Sequence, residues 1–237
     1  VRLRAFFATH LAEGQAAFGL PGSDWRIGHV VDLSGGTEEY FQKLARDRVD
    51  FARDTRRRLK RAEKDFGALD FVFDAEPAVA LDAIEAKRRQ YARTGVGDVF
   101  QDDRNVAIIK ALFEHSSSHC RPVVSVLRAG GKIIARHLGL MSGGVLSYWF
   151  PVYEPAARAV SPGRLLLWQI IEAATREGIT LIDRGEGDSR AKQDFSTGVQ
   201  RFGKAYWYRG AVALPARLQM SLEWRIKARR AEKAGVS

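Results

Sequence analysis

The 237-residue chain holds a single cysteine, Cys120. One thiol excludes an internal disulfide framework and suits a reducing compartment. Nowhere does an apolar run approach the roughly 18 residues that span a bilayer, and no signal-peptide pattern opens the chain. These absences predict a soluble, cytoplasmic protein. An initiator Met is missing too: the chain starts at Val1, as a piece of a longer protein would. Excess positive charge is also lacking over most of the length. Of the formal +10, residues 46–64 carry +5 and residues 217–233 carry +4, so the remainder is close to neutral. That distribution argues against a basic groove through the fold and so against a nucleic-acid binder. Either cluster could attract phosphate, lipid headgroups or an acidic substrate, although a solvated face of mixed charge is the simpler reading of each.

What is there is a core. The 46% hydrophobic content is enough for a packed globule of this length. Trp25–Asp32 alternates like a strand, Gly35-Gly36 breaks it, and a basic helix is expected over 38–65, ending near Gly67. Leu69–Asp74 reads as a strand with Phe71 and Phe73 on one face. Asp74 is placed to cap a helix that runs to about Arg93 and buries Leu81, Ile84 and Tyr91. A second helix is expected over 103–116. The turn chemistry of Arg128-Ala-Gly-Gly131 and Ser142-Gly-Gly144 then predicts three antiparallel strands, 121–127, 132–140 and 145–153. A leucine-rich helix over 164–177, a strand at 179–183, a short helix near 189–195, a strand at 205–208 and a basic helix at 215–233 complete the order.

The junction before the leucine-rich helix carries the most chemistry. In Arg158-Ala-Val-Ser-Pro-Gly163, Ser161 is a favoured N-cap, Pro162 suits the first helical position and Gly163 admits close approach to the main chain. The amides of Gly163, Arg164 and Leu165 would then face an anion such as a diphosphate. Strand, loop, helix, strand is a parallel crossover, a unit that binds ligands at the carboxyl ends of its strands.

This order of elements, with Arg158 and Ser161-Pro-Gly163 after the third antiparallel strand, resembles the GNAT superfamily of N-acetyltransferases. Ser161 stands where that family's first phosphate-loop glycine is expected. Asp183-x-Gly185-x-Gly187 with Lys192 a few residues on is similar to the CelD-type branch, associated with exopolysaccharide and cellulose biosynthesis and related to the Fem-type aminoacyl transferases. Ala191 precedes Lys192 where an aromatic is common in that branch. The resemblance implies a mixed α/β fold of the α+β kind: a mostly antiparallel sheet with a splayed parallel strand pair, and helices on both faces. It implies acetyl-CoA as cosubstrate, its pantetheine arm between the splayed strands and its diphosphate at Arg158, Ser161, Pro162, Gly163, Arg164 and Leu165. It also implies an acyltransferase domain over 46–213, with 1–45 the remnant of an upstream lobe or a lid and 214–237 an appended helix.

Acyl transfer to an amine needs a neutral amine, stabilisation of an oxyanion and a proton for the leaving thiolate. Main-chain amides of strand 145–153, exposed where Pro151 interrupts the ladder, are expected to serve the oxyanion. Asp183 is the first choice for the acceptor amine, with Glu186 and Asp188 as substitutes; its other reading is a cap for the glycine loop. Tyr153 is a candidate proton donor, Lys192 a contact for an anionic group of the acceptor, and His137 a group facing the cleft or a core histidine. His115, His119 and Cys120 imitate a zinc spacing, but no second ligand pair exists and no metal is expected. The reading is an N-acyltransferase acting on an amino sugar, nucleotide-sugar or related amine. Its rivals are a Fem-type enzyme with an aminoacyl-tRNA donor, and an inactive scaffold that docks through helix 215–233.

Overall fold

The computed structural model describes residues 5–13 and 23–208. The chain divides into two compact units, residues 1–27 with 200–237, and residues 28–199. In the first, β1 (Ala5–Ala12) pairs antiparallel with residues 202–208 of β8 (Gly198–Tyr208). Arg201 is bonded to Glu13 at 2.8 Å and lies over the Trp25 ring, and Lys204 is paired with Asp24. The expected helix at 215–233 lies outside the described residues.

The second unit is built on a mixed sheet. Its strands are β2 (Ser23–Asp32, from residue 28), β3 (Leu69–Val72), β4 (Cys120–Ala129), β5 (Lys132–Ser142), β6 (Val145–Tyr153) and β7 (Leu181–Glu186). They lie in the order β2-β7-β6-β5-β4-β3, every pair antiparallel except β6 with β7. The mostly antiparallel sheet with one parallel pair is therefore as expected.

Alternation along β4 shows why both faces are covered. Val123, Leu127 and Ala129 enter one core, while Val124 and Val126 enter the other. The first core is closed by α1 (Gly36–Asp47), α2 (Val49–Phe66) and α5 (Pro162–Ala173), the second by α3 (Ala78–Thr94) and α4 (Asp103–Glu114). Leu165, Leu166, Leu167, Trp168, Ile170 and Ile171 are all buried, so α5 is apolar nearly all round and needs cover on several sides. The sheet lies along one side, and Phe41 of α1 packs on Trp168 at 4.5 Å between ring centroids on another.

Several local expectations are corrected. The basic helix is broken at Arg48, whose backbone leaves the helical region at φ −138° and ψ 54°. Its guanidinium bonds the main-chain oxygens of Gln193 and Ser196, a tertiary cause with no glycine or proline to announce it. Asp74 does not cap α3, which starts behind Pro77; its carboxylate instead pairs with Arg121 and accepts from the Val124 amide. Leu81 is exposed rather than buried. The leucine-rich helix begins at Pro162 and ends at Ala173, short of residue 177.

Candidate active site

The site begins where two strands part. The parallel pairing runs Val145 with Leu181, Leu146 with Ile182 and Ser147 with Asp183, and then stops. β6 nevertheless continues to Tyr153 and β7 to Glu186. On its other edge β6 carries an extra residue: Leu140 pairs with Ser147, but Leu138 pairs with Phe150. This bulge over Tyr148 and Trp149 turns the strand from its partner. The irregularity therefore falls there and not at Pro151, which is paired with His137. Gly139 makes room for it, since a Cβ at that position would lie 2.4 Å from the Ser147 oxygen.

α5 starts beside the gap. Ser161 sits in the left-handed region at φ 55° and ψ 59°, the conformation glycine adopts without strain. The position is glycine-like in backbone although serine occupies it. Its hydroxyl makes no cap; it accepts from Arg58 Nη1 at 3.0 Å. The Ser161 carbonyl receives the amides of Arg164 at 2.9 Å and Leu165 at 3.2 Å. Of the three amides expected to face a ligand, those two are therefore already engaged within the helix. The Gly163 amide has no partner among the described residues. A Cβ on Gly163 would meet only Tyr153 Cδ1, at 3.9 Å. The protein itself leaves the space beside the Gly163 Cα open.

A cavity of about 530 Å³ occupies the gap. Its walls include Lys87 and Gln90 of α3 on one side of the sheet, Gly163, Arg164 and Leu167 of α5 on the other, and Tyr148, Tyr153, Arg158, Arg184 and Asp194. An opening bounded by helices from both faces passes between the strands. Arg158 is exposed and unpaired among the described residues. Arg164 is not: Asp54 takes its Nη1 at 2.8 Å, Phe51 O its Nη2 at 3.0 Å, and its cation lies over the Phe51 ring. Asp54 is held down to about pH 2 by its hydrogen bonds to Arg58 and Arg57 and by the charge of Arg164.

The structure thus gathers Tyr153, Arg158, Ser161, Pro162, Gly163 and Arg164 around one cavity. Leu165 points into the core. Asp183 and Lys192 are not among the cavity-lining residues. The Asp183 carboxylate accepts from the Gly185 amide at 2.7 Å, which is the loop-capping geometry. Lys192 Nζ donates to the carbonyls of Gly185 at 3.1 Å and Glu186 at 2.6 Å. Asp188 is bonded to His29 and Gln193. His137 is wholly buried, stacked on Tyr148 at 4.1 Å, and held neutral by burial, which lowers its pKa to about 3. Among the described residues no group of three or more His, Cys, Asp or Glu side chains could hold a metal ion, and no helix is long and apolar enough to cross a membrane.

Three cavity groups went unnoticed in the sequence. Lys87 donates to Pro151 O at 2.8 Å, and burial lowers its pKa to about 8. Arg184 follows Asp183 on β7, and Asp194 follows α6 (Arg190–Gln193). Strand alternation was a signal for Arg184, because it must share a face with Ile182, which lies in the α5 core.

A family model described as acetyltransferase (GNAT) domain matches residues 50–193. Among solved structures, FemX is similar with a TM-score of 0.56 at 12% identity, over 86% of this chain and 66% of that one. A conserved protein of unknown function from Bacteroides thetaiotaomicron is similar with a TM-score of 0.50 at 14% identity, over 85% and 62%. At such identities the likeness is one of fold, and the chain spans just under two thirds of either structure's length. No curated protein matches the chain.

Proposed function

Because the chain belongs to the acetyltransferase (GNAT) domain family, we propose that it is an N-acyltransferase that moves an acetyl group from acetyl-CoA to an amine. In this reading it is of the CelD type, and the acceptor is an amino sugar, nucleotide-sugar or related metabolite of polysaccharide biosynthesis. The observation that carries the proposal is the end of β6–β7 pairing at Ser147 and Asp183, with an unpartnered amide at Gly163 and the unpaired Arg158 on the wall of the resulting cavity. Those groups suit a diphosphate: a helix N-terminus, a backbone donor and an exposed cation.

Acetyl-CoA supplies the activated acyl group. The chain's own residues bind its diphosphate at Gly163 and Arg158 and seat its arm along the unpaired length of β6. As the acceptor's amine, its ammonium proton already lost to solvent, bonds to the carbonyl carbon and the carbon–sulfur bond breaks, Tyr153 gives its phenolic proton to the departing thiolate and regains one from the new amide nitrogen. Asp194, the carboxylate on the cavity wall, faces the ammonium of the acceptor. Asp183 and Lys192 act as positioning residues that fold the glycine loop carrying Arg184. Isothermal titration with acetyl-CoA tests the reading. The unaltered protein should bind and a Gly163→Glu variant should not; a wild-type chain that gives no binding heat defeats it.

A further inference from the structure

Arg184 stands at the root of the gap. It follows Asp183, the last β7 residue paired with β6, as Tyr148 follows Ser147 on the facing strand. Its guanidinium lies 5.6 Å from the Tyr148 ring and 5.9 Å from that of Phe195. Nη1 is used by the Ala191 carbonyl at 2.9 Å, but Nε is sealed from solvent without a partner. Arg184 makes no salt bridge among the described residues; the Asp194 carboxylate, on the same cavity wall, favours its charge without touching it. Arg164 shares the sealed, unpartnered Nε, but both it and Arg136 have carboxylates in contact. Arg136 is held by Asp82 and Glu154 at 2.7 and 2.6 Å, and Arg164 by Asp54 at 2.8 Å. A half-buried cation that no carboxylate touches opposes folding. A chain that leaves one in a cavity wall has a site for an anion to complete.

We infer that Arg184 binds a permanently charged group, carboxylate or phosphate, on the acyl acceptor, so that the acceptor class is an amine bearing an anion. The inference rests on the acyltransferase reading. A transition-state oxyanion would not answer the observation, because it exists only fleetingly, whereas the guanidinium lacks a carboxylate in contact at all times. Nor does the donor's diphosphate, which the start of α5 already serves through Gly163 and Arg158. The cavity bears a carboxylate, Asp194, to meet the ammonium end of such an acceptor, and a cation, Arg184, to meet its anionic end.

The test uses the full chain saturated with CoA, at fixed ionic strength, with acetate and inorganic phosphate as probes and chloride as control. Titration and thermal shift should show one of the two anions binding, which identifies the source as carboxylate or phosphate. Arg184→Gln should weaken that binding at least about tenfold, as expected for a charge-assisted contact. Arg184→Lys should retain part of it, and Arg158→Gln should lower CoA affinity instead. Arg184→Met keeps the apolar stem and serves where Gln fails to fold. In turnover, glycine should surpass glycinamide, or phosphoethanolamine should surpass ethanolamine, through KM and not kcat. Equal anion binding by wild type and Arg184→Gln, or none by wild type, overturns the inference. Anion binding through Arg184 in a chain that ignores acetyl-CoA would instead defeat the acyltransferase reading.

Discussion

Replacing Gly163 by alanine separates a glycine needed by the fold from one needed by a ligand. A Cβ there would touch only Tyr153 Cδ1, at 3.9 Å, an ordinary van der Waals contact. The backbone is not in the left-handed region, since Gly163 is absent from the positive-φ positions. Alanine should therefore stabilise the free protein, by about 0.5–1 kcal/mol from helix propensity and the reduced freedom of the unfolded chain. For a domain of this size that is a rise in Tm of roughly 1–4 °C. The same methyl group projects toward Tyr153, on the wall of the cavity that the free amide also borders. If a phosphate oxygen belongs there, a charge-assisted hydrogen bond of about 1.5–3 kcal/mol is weakened or lost, or about tenfold to a hundredfold in Kd. Scanning fluorimetry without ligand and titration with acetyl-CoA read the two effects separately. Opposite signs are expected: a higher Tm and a weaker complex. Wild-type affinity at the raised Tm would refute the assignment of this amide to the diphosphate, and a lowered Tm would show that the glycine serves the fold.

Ser161→Gly should remove about 1–2 kcal/mol of left-handed strain while losing the Arg58 bond, worth about 1 kcal/mol, so denaturant midpoints should move little or slightly upward. Gly139→Ala should be severely destabilising in the same assay, because its Cβ would stand 2.4 Å from the Ser147 oxygen and 2.6 Å from the His137 ring. Tyr153→Phe should lower kcat about 10²-fold or more with acetyl-CoA affinity unchanged, measured by thiol release. Lys87 titrates near 8 when folded, below an ordinary lysine. Between about pH 8 and 10.5 the unfolded chain therefore binds more protons, and this residue's contribution makes stability rise with pH across that window. The rise should be missing from the difference curve for Lys87→Met, and identical pH profiles would disprove it.

The features legible in the sequence were those set by neighbours along the chain. Gly130, Gly131, Gly143 and Gly144 all have positive φ, and the two hairpins fall where those turns were expected. The parallel crossover into β7 follows equally from local pattern. Arg48 marks the opposite case, because it leaves the helix for carbonyls 145 and 148 positions away. The bulge in β6 is likewise a matter of pairing between strands, which no residue of β6 announces, although Gly139 on the neighbouring strand is its local trace.

The loop from Asp183 to Phe195 shows how side chains that look reactive by type can be taken up in holding a backbone. Residue type singled out Asp183, Glu186, Asp188 and Lys192 as reactive. The loop turns at Gly185 and Gly187, both at positive φ, and a turn this tight has amides and carbonyls that no strand partner satisfies. Asp183 takes an amide, Lys192 takes two carbonyls, and Asp188 ties the loop to His29. These charged groups are consumed in holding the loop's shape. Arg184 and Asp194, near the two ends of the loop, line the cavity instead. In a glycine-rich loop the most reactive-looking side chains are the ones best able to satisfy a strained backbone, so the cavity wall is left to those whose direction is fixed by the strand and helix on either side.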